Sequence, residues 1–227
     1  MTEQVNGYQL YTYWRSSASY RVRIALNCKQ LDYQSLPVDL IKPLTTDGIE
    51  QIKGQQKSPE YTQLNPAQLV PCLVTPNGDV LNQSLAIIEY LEERVPKPAL
   101  LPSEPLKKAQ VRAFALDIAC DIHPMNNLRV TQFLQDKLSV AEEGKMQWYH
   151  HWLHLGFANL EKRLAQHAGH FCFANDFSMA DICLVPQVYN ALRFSLDMKP
   201  YANINRIYSN CLSLPEVNLA APDKHQT

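Results

Sequence analysis

The chain has 227 residues, 46% of them apolar, with 21 Lys and Arg against 22 Asp and Glu for a formal net charge of −1. That length buries one large core or two modest ones, and the balanced charge leaves no basic field for nucleic acid or an anionic membrane surface. No apolar run reaches the roughly 20 residues that span a bilayer, and the opening Met1 to Gly7 lacks a basic segment followed by an apolar one, so the expected location is cytoplasmic. The six cysteines are scattered without a C-x-x-C pair, mostly among apolar neighbours, so disulfides and a zinc site are not expected. Asn82-Gln83-Ser84 fits a glycosylation sequon, a match expected to be chance without a secretory signal.

Gln9 to Tyr13 carries the aromatic and β-prone residues of a strand, and Val22, Ile24, Ala25, Leu26 and Cys28 set the buried side of a following helix. Between them Ser16, Ser17 and Ser19 are candidate caps. A strand that delivers serines to a helix N-terminus presents hydroxyls and backbone N–H groups to an anion such as a thiolate. Capping alone explains the same serines, and spacing does not choose between the two roles. Asp32 to Leu40 reads as a second strand, giving a βαβ opening with a parallel pair, and Pro37 suggests an edge position. Lys42 to Ser58 is polar, contains two glycines and reads as a mobile loop with one helical turn.

Leu64-Asn65-Pro66 makes a turn before an apolar strand in which Pro71 cannot donate to a ladder, leaving backbone groups of Val70 for a ligand. Asn77-Gly78 predicts a hairpin, and Ser84 is the expected cap of a helix running to Glu93. The proline-dense stretch 95–105 then reads as a linker. Beyond it the period turns helical over Leu106 to Val140, Lys145 to Ala168 and Ser178 to Leu196. Pro124 and Pro186 are expected to kink or interrupt their helices, and Ser178 to Asp181 has the spacing of a capping box. The expected domains are an α/β unit over 1–94 and an all-helical unit over 106–227. His150, His151 and His154 share one helical stretch without an acidic or cysteine partner nearby, so no metal site is expected. Trp148, Tyr149 and Trp152 read as packing residues, since no basic background supports base stacking.

Four strings narrow the reading: Tyr11-x-Tyr13-x-Arg15-Ser16-Ser17-x-Ser19-x-Arg21-Val22-Arg23-Ile24-Ala25-Leu26; Leu64-Asn65-Pro66 with Val70-Pro71; Gln83-Ser84-Leu85-Ala86-Ile87-Ile88-Glu89-Tyr90-Leu91; and Met179-Ala180-Asp181-Ile182-Cys183-Leu184-Val185-Pro186. With the βαβ-ββα order, the proline linker and the helical half, they resemble the zeta class of glutathione transferases, the class that includes the maleylacetoacetate isomerases. The resemblance runs along nearly the whole chain. It implies a thioredoxin-like N-terminal domain followed by an all-helical domain, glutathione as cofactor, a small dicarboxylic keto acid as substrate, and a homodimer.

Carried over by motif, the resemblance makes Ser16 the residue that hydrogen-bonds the glutathione sulfur, with Ser17, Ala18, Ser19, Tyr20 and Arg21 completing the pocket at the helix start. Backbone groups of Val70 are expected on the cysteinyl part, Gln83 and Ser84 on the γ-glutamyl carboxylate, and Gln56 as a further contact. His123, Asn127, Leu128 and Arg129 match the segment that closes over the sulfur, and Arg193 matches the arginine that holds a substrate carboxylate. Ser16, Ser17 and Arg193 are the expected catalytic set. Two positions depart from the pattern: Ala18 stands where the class usually has cysteine, and Tyr20 where it has tryptophan. The implied activity is glutathione-dependent cis–trans isomerisation of maleylacetoacetate. Maleylpyruvate isomerisation, and conjugation, dehalogenation or peroxide reduction on the same sulfur pocket, are the alternatives. A non-catalytic interaction protein on the same fold is the alternative from another class, and the joint presence of Ser16, Gln83, Ser84 and Arg193 argues against it.

Overall fold

The structure, a computed structural model, describes residues 7–41, 43–46 and 49–226. The opening residues behind the cytoplasmic expectation, 1–6, and positions 42, 47 and 48 of the expected loop lie outside them. The chain divides into two compact units, Met1–Pro98 with Pro215–Thr227, and Ala99–Leu214.

In the first unit, β1 (Tyr8–Thr12), α1 (Ser17–Cys28) and β2 (Tyr33–Pro37) form the expected βαβ unit. β5 (Cys72–Val74), β6 (Val80–Asn82) and α3 (Ser84–Arg94) complete it. The sheet order is β2-β1-β5-β6. β1 and β2 are parallel, β5 is antiparallel to β1, and β6 is antiparallel to β5. β2 is therefore an edge strand, where the missing N–H of Pro37 costs no ladder bond. Because β6 runs in the direction of β1, the helices that follow these strands, α1 and α3, both begin at one edge of the sheet. β5 begins at that edge as well, since Cys72 pairs with Tyr11 on one side and Asn82 on the other. α1 and α3 pack together, burying Val22, Ile24, Leu26, Ile87, Ile88 and Leu91 completely, each worth about 1.5–3 kcal/mol over an exposed side chain.

The stretch expected as a loop contains an antiparallel ribbon, β3 (Pro43–Thr46) with β4 (Ile49–Lys53), then a single 3-10 turn, Gln55–Lys57. Its sequence has no sustained apolar alternation, a main local signal of a strand. A short helix, α2 (Pro59–Leu64), follows; Ser58 caps it by accepting from the Tyr61 N–H at 3.2 Å.

The second unit is built of α4 (Pro105–Leu116), α5 (Leu128–Asp136), α6 (Glu142–His167), α7 (Met179–Arg193) and α8 (Ala202–Leu212). The helix expected from Leu106 to Val140 is not continuous. After α4 the backbone widens into a π-helical turn over Asp117–Ile122, tightens into a 3-10 turn at Pro124–Asn126, and restarts as α5. Pro124 explains the break, because it brings no N–H to an intrahelical bond. Pro186, by contrast, lies inside an α7 that runs on to Arg193. Two helices were not expected: α8 and α9 (Pro215–Leu219). The segment from Pro215 clusters with the first unit although it was counted with the helical domain. Three side chains of α1 hold it by its carbonyls: Arg23 Nε donates to Ala220 O at 3.0 Å, Asn27 Nδ2 to Glu216 O at 2.9 Å, and Tyr20 Oη to Val217 O at 3.4 Å.

Candidate active site

The first turn of α1 is the centre of the site in the N-terminal unit. Ser16 occupies the N-cap position with an extended backbone, and its Oγ accepts from the Ser19 N–H at 3.2 Å. The bond uses an oxygen lone pair and leaves the hydroxyl proton to donate, so capping and anion recognition are compatible in one residue. No acidic side chain lies in the first turn of α1 or of α3, so neither positive helix end is neutralised from within.

Among the neighbours, Ala18 is partly exposed, Ser17 and Ser19 are buried, and the Ser19 hydroxyl finds no partner among the described residues. Tyr20 is buried with its hydroxyl turned to α9. Arg21, 1% exposed, reaches across to α3, where its Nη1 donates to Ser84 Oγ at 3.3 Å. This bond ties the starts of the two helices together with a cation behind both. Ser84 is the first helical residue rather than the cap; the N-cap position belongs to Gln83, exposed, at φ 65° and ψ 112°. A glutamine held at positive φ is strained, and such backbone persists where the surroundings enforce it, often at ligand sites. Val70, buried, precedes a cis peptide bond to Pro71 and stands two residues before β5. Ser16, Val70, Gln83 and Ser84 thus come from separate segments to the same edge of the sheet. Gln56 follows the ribbon in the 3-10 turn, with its Oε1 buried and without a partner among the described residues.

In the helical unit, the turn at Pro124–Asn126 brings His123 and Asn127 together, Nε2 to Nδ2 at 3.4 Å. Asn127 caps α5 by accepting from the Arg129 N–H at 3.1 Å, which puts Leu128 and Arg129 in that helix's first turn. Arg193, in the last turn of α7, lies with its guanidinium carbon 4.5 Å over the Phe194 ring, and its Nη1 donates to Asn190 Oδ1 at 3.4 Å. Within the units, two hollows lie apart from these residues. One of about 260 Å³ is bounded by Thr12, Trp14, Asp39, Gln55 and His225. The other, of about 320 Å³, is bounded by Asp117, Asp121, Trp152 and Leu155. The site is built on helix starts.

Three of the protein's buried thiols are poor nucleophiles. Burial pushes Cys72 up to about 11 and Cys28 up to about 12, and burial beside Asp181 pushes Cys172 well above the usual thiol range. Cys120 is exposed. Among the described residues no three His, Cys, Asp or Glu side chains gather as a metal would require. His150 Nε2 is 2.7 Å from Phe194 O, and His154 Nδ1 is 2.7 Å from Tyr201 Oη. Sequence reasoning missed Arg23, fully buried and bound to Thr12 Oγ1 and Trp14 O at 3.1 Å each.

Residues 15–94 match the family described as Glutathione S-transferase, N-terminal domain. A probable maleylacetoacetate isomerase of Vibrio cholerae is 51% identical over 215 residues, covering 94% of this chain and 95% of the relative. The holo structure of a maleyl pyruvate isomerase, a bacterial zeta-class transferase, superposes with a TM-score of 0.86 at 39% identity, covering 94% of this chain and 96% of that one. A maleylacetoacetate isomerase of Methylobacterium extorquens AM1, with bound malonate and glutathione, gives 0.85 at 36% identity, with 94% and 96% covered. The chain belongs to the glutathione S-transferase family and, within it, to the zeta class.

Proposed function

We propose that the chain is a glutathione-dependent cis–trans isomerase of a maleyl keto acid, maleylacetoacetate in the first instance. The observation that carries this reading is the convergence of Ser16, Val70, Gln83 and Ser84 on one sheet edge, at two helix N-termini without acidic residues. Such an edge offers backbone N–H groups, hydroxyls and positive dipole ends, which is the donor set that a peptide with a thiolate and a carboxylate requires. In this reading the domain 1–94 binds glutathione and the helical domain 106–227 binds the acid.

Glutathione, when bound, supplies a thiolate that adds to the carbon conjugated with the keto group and later departs, leaving the double bond single long enough to rotate. The Ser16 hydroxyl donates to the sulfur and keeps it ionised, assisted by Ser17 and the first-turn N–H groups of α1. Lowering a thiol from about 8.5 by roughly two units takes about 2.7 kcal/mol. A hydrogen bond to a charged atom supplies about 1.5–3 kcal/mol and a helix N-terminus about 0.3–1 kcal/mol, so these groups suffice without Tyr or metal. Backbone groups of Val70 pair with the cysteinyl part, and Gln83 and Ser84 hold the γ-glutamyl carboxylate. Gln56, His123, Asn127, Leu128 and Arg129 are further glutathione contacts. Arg193 holds a substrate carboxylate, for which its planar fork of donors is suited.

Maleylpyruvate presents the same maleyl acid, and the likeness to a maleyl pyruvate isomerase favours it as the second substrate to test. The test is isomerisation of both acids followed by absorbance, with and without glutathione. Turnover of at least one acid, absent without glutathione, is expected; no turnover of either overturns the reading. The same reading makes the protein a cytoplasmic two-fold dimer, with the N-terminal domain of one subunit against helices of the other. A monomer by light scattering at micromolar concentration, with full activity, overturns that part.

A further inference from the structure

The roles assigned above leave several buried polar groups of the helical unit unused: Asn126 Oδ1, the Gln187 side-chain amide and the Tyr149 hydroxyl have no partner among the described residues. Tyr149, in α6, is 2% exposed, and its hydroxyl has no hydrogen-bond partner among the described residues. Several neighbouring groups are engaged. The Tyr149 carbonyl accepts from Asn126 Nδ2 at 3.0 Å, Trp148 Nε1 donates to Met125 O at 2.8 Å, and His150 Nε2 lies 2.7 Å from Phe194 O. The Tyr149 ring lies against Phe194, centroids 4.3 Å apart, and the Arg193 guanidinium lies over that same Phe194 ring at 4.5 Å. Arg193 and the tilted Tyr149 ring, at 47° to Phe194, thus share Phe194 as a neighbour, and the Arg193 charge acts on the phenol. A buried tyrosine normally spends its hydroxyl on a partner, and one left without any in the protein alone is a candidate for a partner that arrives from outside.

We propose that Tyr149 is a second substrate contact beside Arg193: its hydroxyl donates a hydrogen bond to an oxygen of the carboxylic acid that the guanidinium holds. The inference rests on the reading of Arg193 as the acid clamp. Burial raises the phenol and keeps it protonated, with the Arg193 charge pulling weakly the other way, so it acts as a donor at neutral pH. A guanidinium donates only and a protonated phenol can donate beside it, and two donors suit an anionic oxygen. His150, the other titratable group at this place, is engaged with the Phe194 carbonyl. One charged and one neutral donor on the same acid would fix the orientation of the substrate, which a single cation does not.

The test uses Tyr149→Phe in the full-length protein, with malonate as a plain dicarboxylate probe. Malonate affinity is measured by calorimetric titration in the presence of glutathione, beside glutathione affinity, melting temperature and kcat/KM on the maleyl acids. Loss of the donor is expected to weaken malonate binding and kcat/KM each by about tenfold or more. Glutathione affinity should stay at the wild-type value. The melting temperature should hold or rise, since the phenylalanine omits a hydroxyl that was unpaired in the free protein. Unchanged malonate affinity in Tyr149→Phe overturns the proposal and leaves the hydroxyl a hydrated core group; so does a wild-type protein that binds no malonate at millimolar concentration. An equal loss of glutathione affinity also overturns it. A wild type that isomerises neither maleyl acid removes the isomerase reading, while the malonate titration still decides Tyr149.

Discussion

Two helices of this protein, α1 and α7, begin with a serine and end differently in purpose because of what sits in their first turns. At α7 the chain supplies its own anion. Asp181 is fully buried; its Oδ2 accepts from the Ser178 N–H and hydroxyl at 2.9 Å each, and its Oδ1 from the Cys172 N–H at 2.8 Å. At α1 the serine caps the helix alone, with no acid in the first turn. The same positive helix end is thus satisfied internally in one case and left for a ligand in the other. A serine before a helix does not distinguish the two; the residue three places on does.

The largest expected effect comes from breaking the internal version. Asp181→Ala leaves two buried N–H groups and a buried hydroxyl without their acceptor, at a cost of about 1–3 kcal/mol each. Loss of about 3 kcal/mol or more, a fall of roughly 6–12 °C in melting temperature for a chain of this size, is expected. Residual folded protein should bind glutathione with wild-type affinity. A melting temperature within a degree or two of wild type would show that the carboxylate is dispensable.

Ser16→Ala breaks the external version and should separate stability from chemistry. The cap contributes about 1 kcal/mol to folding, a few degrees at most. Its hydroxyl, by contrast, should be worth about one to two orders of magnitude in turnover, the value of a hydrogen bond to a charged atom. Equal modest losses in both would reduce Ser16 to a cap. Arg193→Ala, at the opposite end of α7, should lower kcat/KM for the maleyl acid by about one to two orders of magnitude with glutathione affinity intact. Comparable loss of glutathione affinity, measured by titration, would mean that the residue does not belong to the acid.

Legibility in the sequence follows the same division between local and distant causes. The cap at Ser16, the edge position of β2, the hairpin around Asn77-Gly78 and the pairing of Ser178 with Asp181 are local, and the residues show them without any partner being known. The β3–β4 ribbon and α8 were passed over, the first because its polar sequence lacks alternation. α8 does carry Ile204, Ile207 and Cys211 at helical spacing, all buried, but it follows a turn without a recognisable cap. The return of α9 to α1 was invisible, since Arg23, Asn27 and Tyr20 bind carbonyls that any residue could supply. As for the site, spacing alone yielded a serine-capped helix start at Ser16, open to capping alone or to anion binding. Val70 was singled out by Pro71, whereas Gln56, Gln83, His123 and Arg193 rested on the family resemblance, because what joins the N-terminal members is a sheet edge assembled from segments far apart in the chain.

The smallest expected effect is at Ala18, and it tests the comparison most directly. If catalysis needed a cysteine from the protein, this chain would be inactive, because alanine brings neither a proton nor a lone pair to the α1 start. The geometry asks for no such group. Ser16 retains a hydroxyl proton after capping, the first turn has no acid to compete for the helix end, and the buried thiols of Cys28, Cys72 and Cys172 are all held protonated by their surroundings. Ala18→Cys should therefore leave turnover within about twofold of wild type, an energy of about 0.4 kcal/mol. The measurement that decides is ultraviolet absorbance of the thiolate of bound glutathione against pH. Wild type and Ala18→Cys are expected to titrate together, below the free thiol, and Ser16→Ala to move back toward it. A wild-type complex that titrates like free glutathione and drops only when cysteine is restored would mean that the external anion is held by the side chain at position 18, not by the helix start.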